Sequence, residues 1–215
     1  MTRPQLLAAA LVLTAAASVA APAVAQNAAA DSMARRADRA RIEGSPTATV
    51  WLIEISDFQC PYCKMWHDST YAAVKKEYVD TGKIRLAYIN FPLPMHKNAM
   101  PAAQAAMCSA AQGKFWPMAD LLFDDQKSWE DLANPAPAFE SLAKRAGVNV
   151  ADMNACIKSG AMMPTIQADI DKSTEQGVNS TPTFLIGGRK LAGAAGIAIF
   201  RQALDDALAR SAAKP

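Results

Sequence analysis

The strongest constraint on this chain is a run that is nearly all apolar, β-branched or aromatic, Thr47-Ala-Thr-Val-Trp-Leu-Ile-Glu-Ile55, followed after Ser56-Asp57-Phe58-Gln59 by Cys60-Pro61-Tyr62-Cys63. A strand so patterned has to be buried on both faces, which places it at the centre of a sheet. Immediately afterwards a helical pattern runs through Tyr78 and stops at Gly82, and Pro61 suits a first helical turn. The two thiols therefore fall at i and i+3, where a central strand gives way to a helix.

The rest of the chain fits around that unit. Lys83 to Phe91 reads as a second strand, and Pro92 and Pro94 break it. From Lys97 to about Asp171 only helical patterns appear, at Ala102 to Ala111, Phe115 to Phe123, Ala138 to Ala146 and Ala151 to Lys158. A further helix, Thr165 to Gln176, leads through Val178-Asn-Ser-Thr-Pro182 to a short strand, Thr183 to Ile186. Gly187-Gly188 signals a hairpin to Arg189–Leu191, and Gly196 to Ala209 closes the chain as a helix. Phe115, Trp116, Phe123, Met107 and Met118 are most simply core.

Compartment is read from the first residues. One positive charge, Arg3, precedes an uncharged run from Gln5 to Ala25 that closes in Ala23-Val24-Ala25, the pattern of a cleaved secretory signal over residues 1–25. Its most apolar part, Leu6 to Ala20, is short of the roughly 20 residues that span a bilayer. The mature chain is thus expected outside the cytoplasm, where a cysteine pair can be a disulfide or make one. Residues 26–44 read as a short arm or frayed helix, with only Met33, Ala37 and Ala40 at helical spacing. A formal net charge of +2 offers no basic field for a nucleic acid.

At i and i+3 of a helix start, the Cα atoms of Cys60 and Cys63 should lie about 5 to 6 Å apart, inside the roughly 4.4 to 6.8 Å window of a disulfide. Unpaired backbone N–H groups and the helix dipole favour a Cys60 thiolate, so Cys60 is the expected nucleophile and the deeper Cys63 the resolving thiol. Two other readings stay open. One is an inert structural disulfide, although so small a loop constrains the unfolded chain little. The other is zinc on Cys60, Cys63 and His67, with His96 as fourth ligand; no second closely spaced pair supports it.

Three strings together, Glu54-Ile-Ser-Asp-Phe-Gln-Cys-Pro-Tyr-Cys63, Gln112-Gly-Lys-Phe-Trp116 and Ser180-Thr-Pro-Thr-Phe184 followed by Ile-Gly-Gly, resemble the DsbA-like, thioredoxin-fold thiol–disulfide oxidoreductases of the bacterial periplasm. The resemblance covers nearly all of Ser45 to Ala209. It implies an α/β thioredoxin-like fold over residues 45–211 with an inserted helical subdomain at about 95–171. It further implies that Pro182 is cis beside the sulfurs, leaving Thr181 backbone groups to pair with an extended substrate, and that Pro61 and Tyr62 also meet substrate. An ordinary strand-opening proline is the alternative. Glu54 takes the place of the family's buried acid, which exchanges protons with the resolving thiol, here Cys63; a Glu hydrogen-bonded at a strand edge is the plainer reading. Cys108 and Cys156 stand where several relatives carry a second, structural disulfide, whose loop of roughly 49 residues contributes near 4 kcal/mol in the chain-entropy model; two buried free thiols are the other possibility.

No cofactor and no metal is implied. The implied partners are reduced or misoxidised exported proteins and a membrane redox partner, quinone-linked for an oxidase or a thiol donor for a reductase. The dipeptide between the cysteines departs from the family's strong oxidases, which commonly carry Pro-His; Pro61-Tyr62 is similar to glutaredoxins and some periplasmic isomerases or reductases. The preferred reading is a dithiol oxidase, with a reductase or isomerase as the alternative, and a non-enzymatic metal-binding or chaperone-like module as the reading from another class. Residues 26–44 are too few for a separate dimerisation domain, and their apolar face is mainly Ala, so a monomer is expected.

Overall fold

The computed structural model describes Met1 and residues 32–213, so the segment read as a signal lies, apart from Met1, outside the described residues. A helix over 32–40 (α1) leads into strand β1 (Ile42–Gly44) and then the central strand β2 (Val50–Ser56). The helix that starts just after Cys60 and carries Cys63 is one rod, α2, spanning 61–79. It starts as α-helix (Pro61–Trp66), loosens to a π-helical turn (His67–Tyr71), tightens at Ala72–Val74 and ends in a second π-helical turn (Lys75–Val79). Strand β3 is Ile84–Asn90. The insertion contributes α3 (Ala99–Ala110), α4 (Phe115–Asp124), α5 (Gln126–Trp129), α6 (Ala136–Arg145), α7 (Val150–Ser159) and α8 (Met163–Glu175). Strands β4 (Thr183–Ile186) and β5 (Arg189–Ala192) and helix α9 (Ile197–Ala212) complete the chain. No helix among the described residues is long and apolar enough to cross a membrane.

The five strands form one sheet in the order β1-β3-β2-β4-β5. β2 and β3 are parallel, and α2 makes the crossover between them; β1 runs antiparallel on β3, and β4 antiparallel on β2. Gly187 and Gly188 both have positive φ, 53° and 83°, the requirement of a two-residue hairpin of the tightest kind. The register of the central strand sets Glu54 opposite Tyr88 on one side and Phe184 on the other. Besides a small cluster of Ile55, Phe91 and Val178, two larger apolar bodies hold the sheet. One unites Phe58, Tyr88, Phe115, Phe123 and Trp129 with the insertion, and the other packs Leu52, Leu86, Trp66, Phe184 and Phe200 beneath α2 and α9.

The arm is more integrated than its composition suggests. Ala37 is fully buried, and β1 extends the sheet upstream of Ser45. Gly44 has φ +97°, and a Cβ there would stand 2.3 Å from the Ile84 carbonyl oxygen, so the strand can approach its neighbour only through glycine. Arg41 is buried and pairs with Asp169 of α8; Asp38 holds its other side at 2.7 Å. Asp169 Oδ2 also accepts from Asn90 N at 3.1 Å and Nδ2 at 2.8 Å. This knot joins the arm, the sheet and the end of the insertion. Within the insertion Cys108 and Cys156 are bonded, 48 residues apart in sequence, and tie α3 to α7.

Candidate active site

β2 ends at Ser56, and the chain turns through Asp57 to Gln59 to present Cys60 as the N-cap of α2. Cys60 has extended backbone angles (φ −69°, ψ 124°), and Pro61 occupies the first turn, where its missing N–H is no loss. Asp57 holds the turn: its Oδ1 accepts from Gln59 N at 2.8 Å and its Oδ2 from Leu93 N at 2.9 Å, with His96 Nδ1 2.6 Å from Oδ2. The insertion grips the same turn. Gln126, fully buried on the short α5, donates to the carbonyls of Phe58 at 2.7 Å and Cys60 at 3.2 Å. Gln59 Nε2 donates to Glu130 O at 2.8 Å, and its Oε1 accepts from Asn98 N at 2.7 Å. Gln126 and Asn98 do not stand out in the sequence, Gln126 because its four-residue helix has no period to read.

Cys60 and Cys63 are free thiols of unequal character. The Cys60 thiol donates to the Thr181 carbonyl at 3.4 Å, and the Thr181–Pro182 bond is cis. Its pKa is brought down to about 6, chiefly by the hydrogen bond from the Cys63 thiol, then by the Thr181 side chain and the N–H groups of Cys63 and Tyr62, against a burial that works the other way. Cys63 is 0% exposed, and burial first, then the neighbouring Cys60, pushes its pKa well above the usual value. Tyr62, between them, is 60% exposed and Pro61 is also exposed, whereas Thr181 and Pro182 are buried.

Glu54, in the central strand β2, is 2% exposed, and its Oε1 has no hydrogen-bond partner. Burial raises its pKa to about 7; the Ser56 hydroxyl and the charge of His67 act in the opposite direction. Ser56 sits at the junction. Its hydroxyl is close enough to favour charge on Glu54, Cys63 and Tyr88 alike, yet Ser56 Oγ makes no bond of full hydrogen-bond geometry, and neither does Tyr88 Oη. Burial pushes the Tyr88 phenol up, and its ring stacks on Phe58 at 4.8 Å. A carboxyl that ionises near neutrality and a thiol reluctant to ionise thus share the Ser56 hydroxyl.

Cys108 and Cys156 stand apart from this site, in the insertion. The zinc reading finds no geometry of its own: the grouping of metal-ligating atoms within 4.8 Å among the described residues is His67, Asp68 and Asp124, which includes neither thiol. His96 instead faces Asp57.

A central parallel strand pair, a dithiol at the start of the crossover helix, a cis-proline turn against the first sulfur and a helical block inserted before that turn define a thioredoxin-fold protein of the DsbA-like kind. The chain belongs to the thioredoxin family, whose pattern it matches over residues 36–206. It is 33% identical over 181 residues to the Na(+)/H(+) antiporter NhaA 3 of Salinispora tropica, a match covering 83% of this chain and 26% of that protein. The chain thus spans about a quarter of the length of the antiporters it matches. The probable disulfide bond formation protein D of Bacillus anthracis is 29% identical over 153 residues, covering 67% of this chain and 68% of that one. The crystal structure of alpha-DsbA1 of Wolbachia pipientis superposes with a TM-score of 0.71 at 22% identity, over 80% of this chain and 92% of that one, which establishes the shared fold.

Proposed function

We propose that this chain is an extracytoplasmic thiol–disulfide oxidoreductase acting chiefly as a dithiol oxidase, with Cys60 as the attacked sulfur, Cys63 as the resolving thiol and Glu54 as the group that exchanges Cys63's proton. What supports this reading above all is the asymmetry of the pair: a Cys60 thiol brought down to about 6 beside a Cys63 thiol driven up. Stabilising the Cys60 thiolate stabilises the reduced dithiol, and that makes the corresponding disulfide the stronger oxidant. A client thiolate attacks Cys60, Cys63 leaves, and the client's second thiolate then displaces Cys60 as its own disulfide closes.

Clients are exported proteins in reduced or misoxidised form. Thr181, at the cis-proline turn, meets their extended backbone, and the exposed Pro61 and Tyr62 meet their side chains. A quinone-linked membrane partner regenerates the disulfide, residues 1–25 direct the chain across the membrane, and the mature protein works as a monomer. The bonded Cys108–Cys156 pair serves stability.

The test is the equilibrium potential of Cys60–Cys63, titrated against glutathione in the mature protein. A value well above the glutathione couple agrees with an oxidase. One near or below that of thioredoxin, about −270 mV, overturns the direction and favours a reductase kept reduced by a thiol donor.

A further inference from the structure

One turn beyond Cys63 lies a histidine that the exchange between client and dithiol does not use. The His67 ring stacks on Tyr71, with centroids 5.0 Å apart and planes 18° from parallel, and Phe123 is 4.9 Å away. Its Nε2 is 3.1 Å from Asp120 Oδ1, an oxygen contributed by the insertion. Its Nδ1 is buried and has no hydrogen-bond partner; Asp68 Oδ1, at 3.8 Å, is out of reach. A chain of aromatic rings connects the surroundings of His67, Tyr71 and Phe123, to the two residues opposite Glu54 in the sheet. Phe184, opposite Glu54 in the sheet, meets Trp66 at 4.7 Å, and Tyr88, opposite it on the other side, connects through Phe58 to Phe123. Each of the two lies in the other's electrostatic field, and each carries an unpartnered buried polar atom, Glu54 Oε1 and His67 Nδ1. Outward from them exposure rises in sequence: the side chain of His67 is 13% exposed and that of Asp120 46%.

Buried polar groups without partners are costly and seldom idle, and a buried acid that must change protonation in every cycle needs a path to water. We propose that His67, held by Asp120, is the relay through which Glu54 exchanges its proton with solvent. This rests on the reading of Glu54 as the proton exchanger of Cys63. In the oxidising direction the client thiolate attacks Cys60 Sγ, the Cys60–Cys63 bond breaks, and the electron pair leaves on Cys63 Sγ, which takes the Glu54 proton. The Glu54 carboxylate takes a proton from the His67 imidazolium, and His67 recovers one from water at Asp120. The client's second thiol loses its proton to solvent, and its thiolate displaces Cys60, which departs as a thiolate. Two electrons have passed from the client dithiol to the protein, one proton has been taken up at Cys63, and the client holds a disulfide. His67 acts through Glu54 and is a positioning residue for that proton. Burial works against the imidazolium, but Asp120, Glu54 and Asp124 outweigh it; Asp68 also faces the ring, with the Lys64 ammonium bonded to it at 3.0 Å.

The test is the rate at which reduced glutathione reduces the oxidised full chain, followed from pH 5 to 8.5. His67→Gln is expected to slow reduction about tenfold at pH 7, at or below the low end of general acid–base effects. It should also move the inflection belonging to Glu54 to higher pH, because a nearby positive charge is gone. Asp120→Asn also slows reduction, by less, but moves the Glu54 inflection to lower pH, because the Asp120 charge holds the Glu54 pKa up; Asp171→Asn, an exposed acid on α8, leaves the profile in place. Imidazole added to His67→Gly restores the rate. A wild-type profile in His67→Gln overturns the relay, as does a loss that is equal at every pH and untouched by imidazole. A wild-type protein that glutathione does not reduce overturns the redox reading itself, and the relay with it.

Discussion

A thiol that ionises near pH 6 beside one held neutral far into the alkaline range gives a reduced protein with one reactive sulfur. Iodoacetamide should modify Cys60 alone in the folded protein, with a rate that climbs through a midpoint near pH 6 and then levels off; a midpoint near the ordinary thiol value of about 8.5 would contradict the environment described. Glu54 carries the opposite dependence. Its pKa is raised on folding, so the folded state holds the proton more tightly than the unfolded chain. The associated stability is complete below about 4.5 and is lost as pH rises through about 7. The loss amounts to roughly 3 kcal/mol, and Glu54→Gln should remove that slope from urea unfolding curves between pH 5 and 8. The same slope in both proteins would assign it elsewhere. At this scale the contiguous string from Glu54 to Cys63 was open to reading, since strand and helix patterns place its members relative to one another. Tyr88, Gln126 and Asp120 were not, because only the folded sheet and insertion bring residues so distant in sequence to the thiols.

Elements differ in how much of their form lies in local pattern. The strands β2, β3 and β4 and the long insertion helices announce themselves by β-branched runs and helical spacing, and their ends fall close to the signals that bound them. The π-helical turns of α2 leave no such mark: no glycine or proline interrupts residues 62–79, and an altered hydrogen-bond ladder needs no change of residue type. The short α5 is equally silent, though its Gln126 fixes the turn that carries Cys60. Gln126→Leu strips two buried carbonyls of a donor and should lower stability by about 1–3 kcal/mol, with the Cys60 alkylation midpoint moving upward. Unchanged values for both would show that the turn holds itself. Between α3 and α7, replacing Cys108 and Cys156 together by Ala should cost up to about 4 kcal/mol while leaving the Cys60–Cys63 potential where it was, which separates a stabilising bond from a redox one.

Across the whole molecule the arm, the sheet and the insertion meet at Arg41, Asp169 and Asn90. Arg41→Met leaves a buried carboxylate without its counter-charge and should destabilise the protein by about 3–5 kcal/mol in chemical denaturation, whereas Arg41→Met with Asp169→Leu should regain much of that loss. Failure of the double variant to recover would mean that the hydrogen bonds from Asn90, rather than the desolvated charge, dominate. Nothing in residues 26–44 read alone points to this role. The burial of Ala37 carries no signal of its own in so Ala-rich a segment, and the three-residue β1 is too short for any pattern to show.

The order of the strands also decides how the molecule meets an unfolded polypeptide. Both margins of the sheet are brief, three residues in β1 and four in β5, and β5 begins with Arg189 and Lys190. Short, charged margins are poor templates for strand addition. A protein whose proposed clients arrive with their own strands exposed can therefore hold them at the sulfur for the time of one exchange without being recruited into their aggregates.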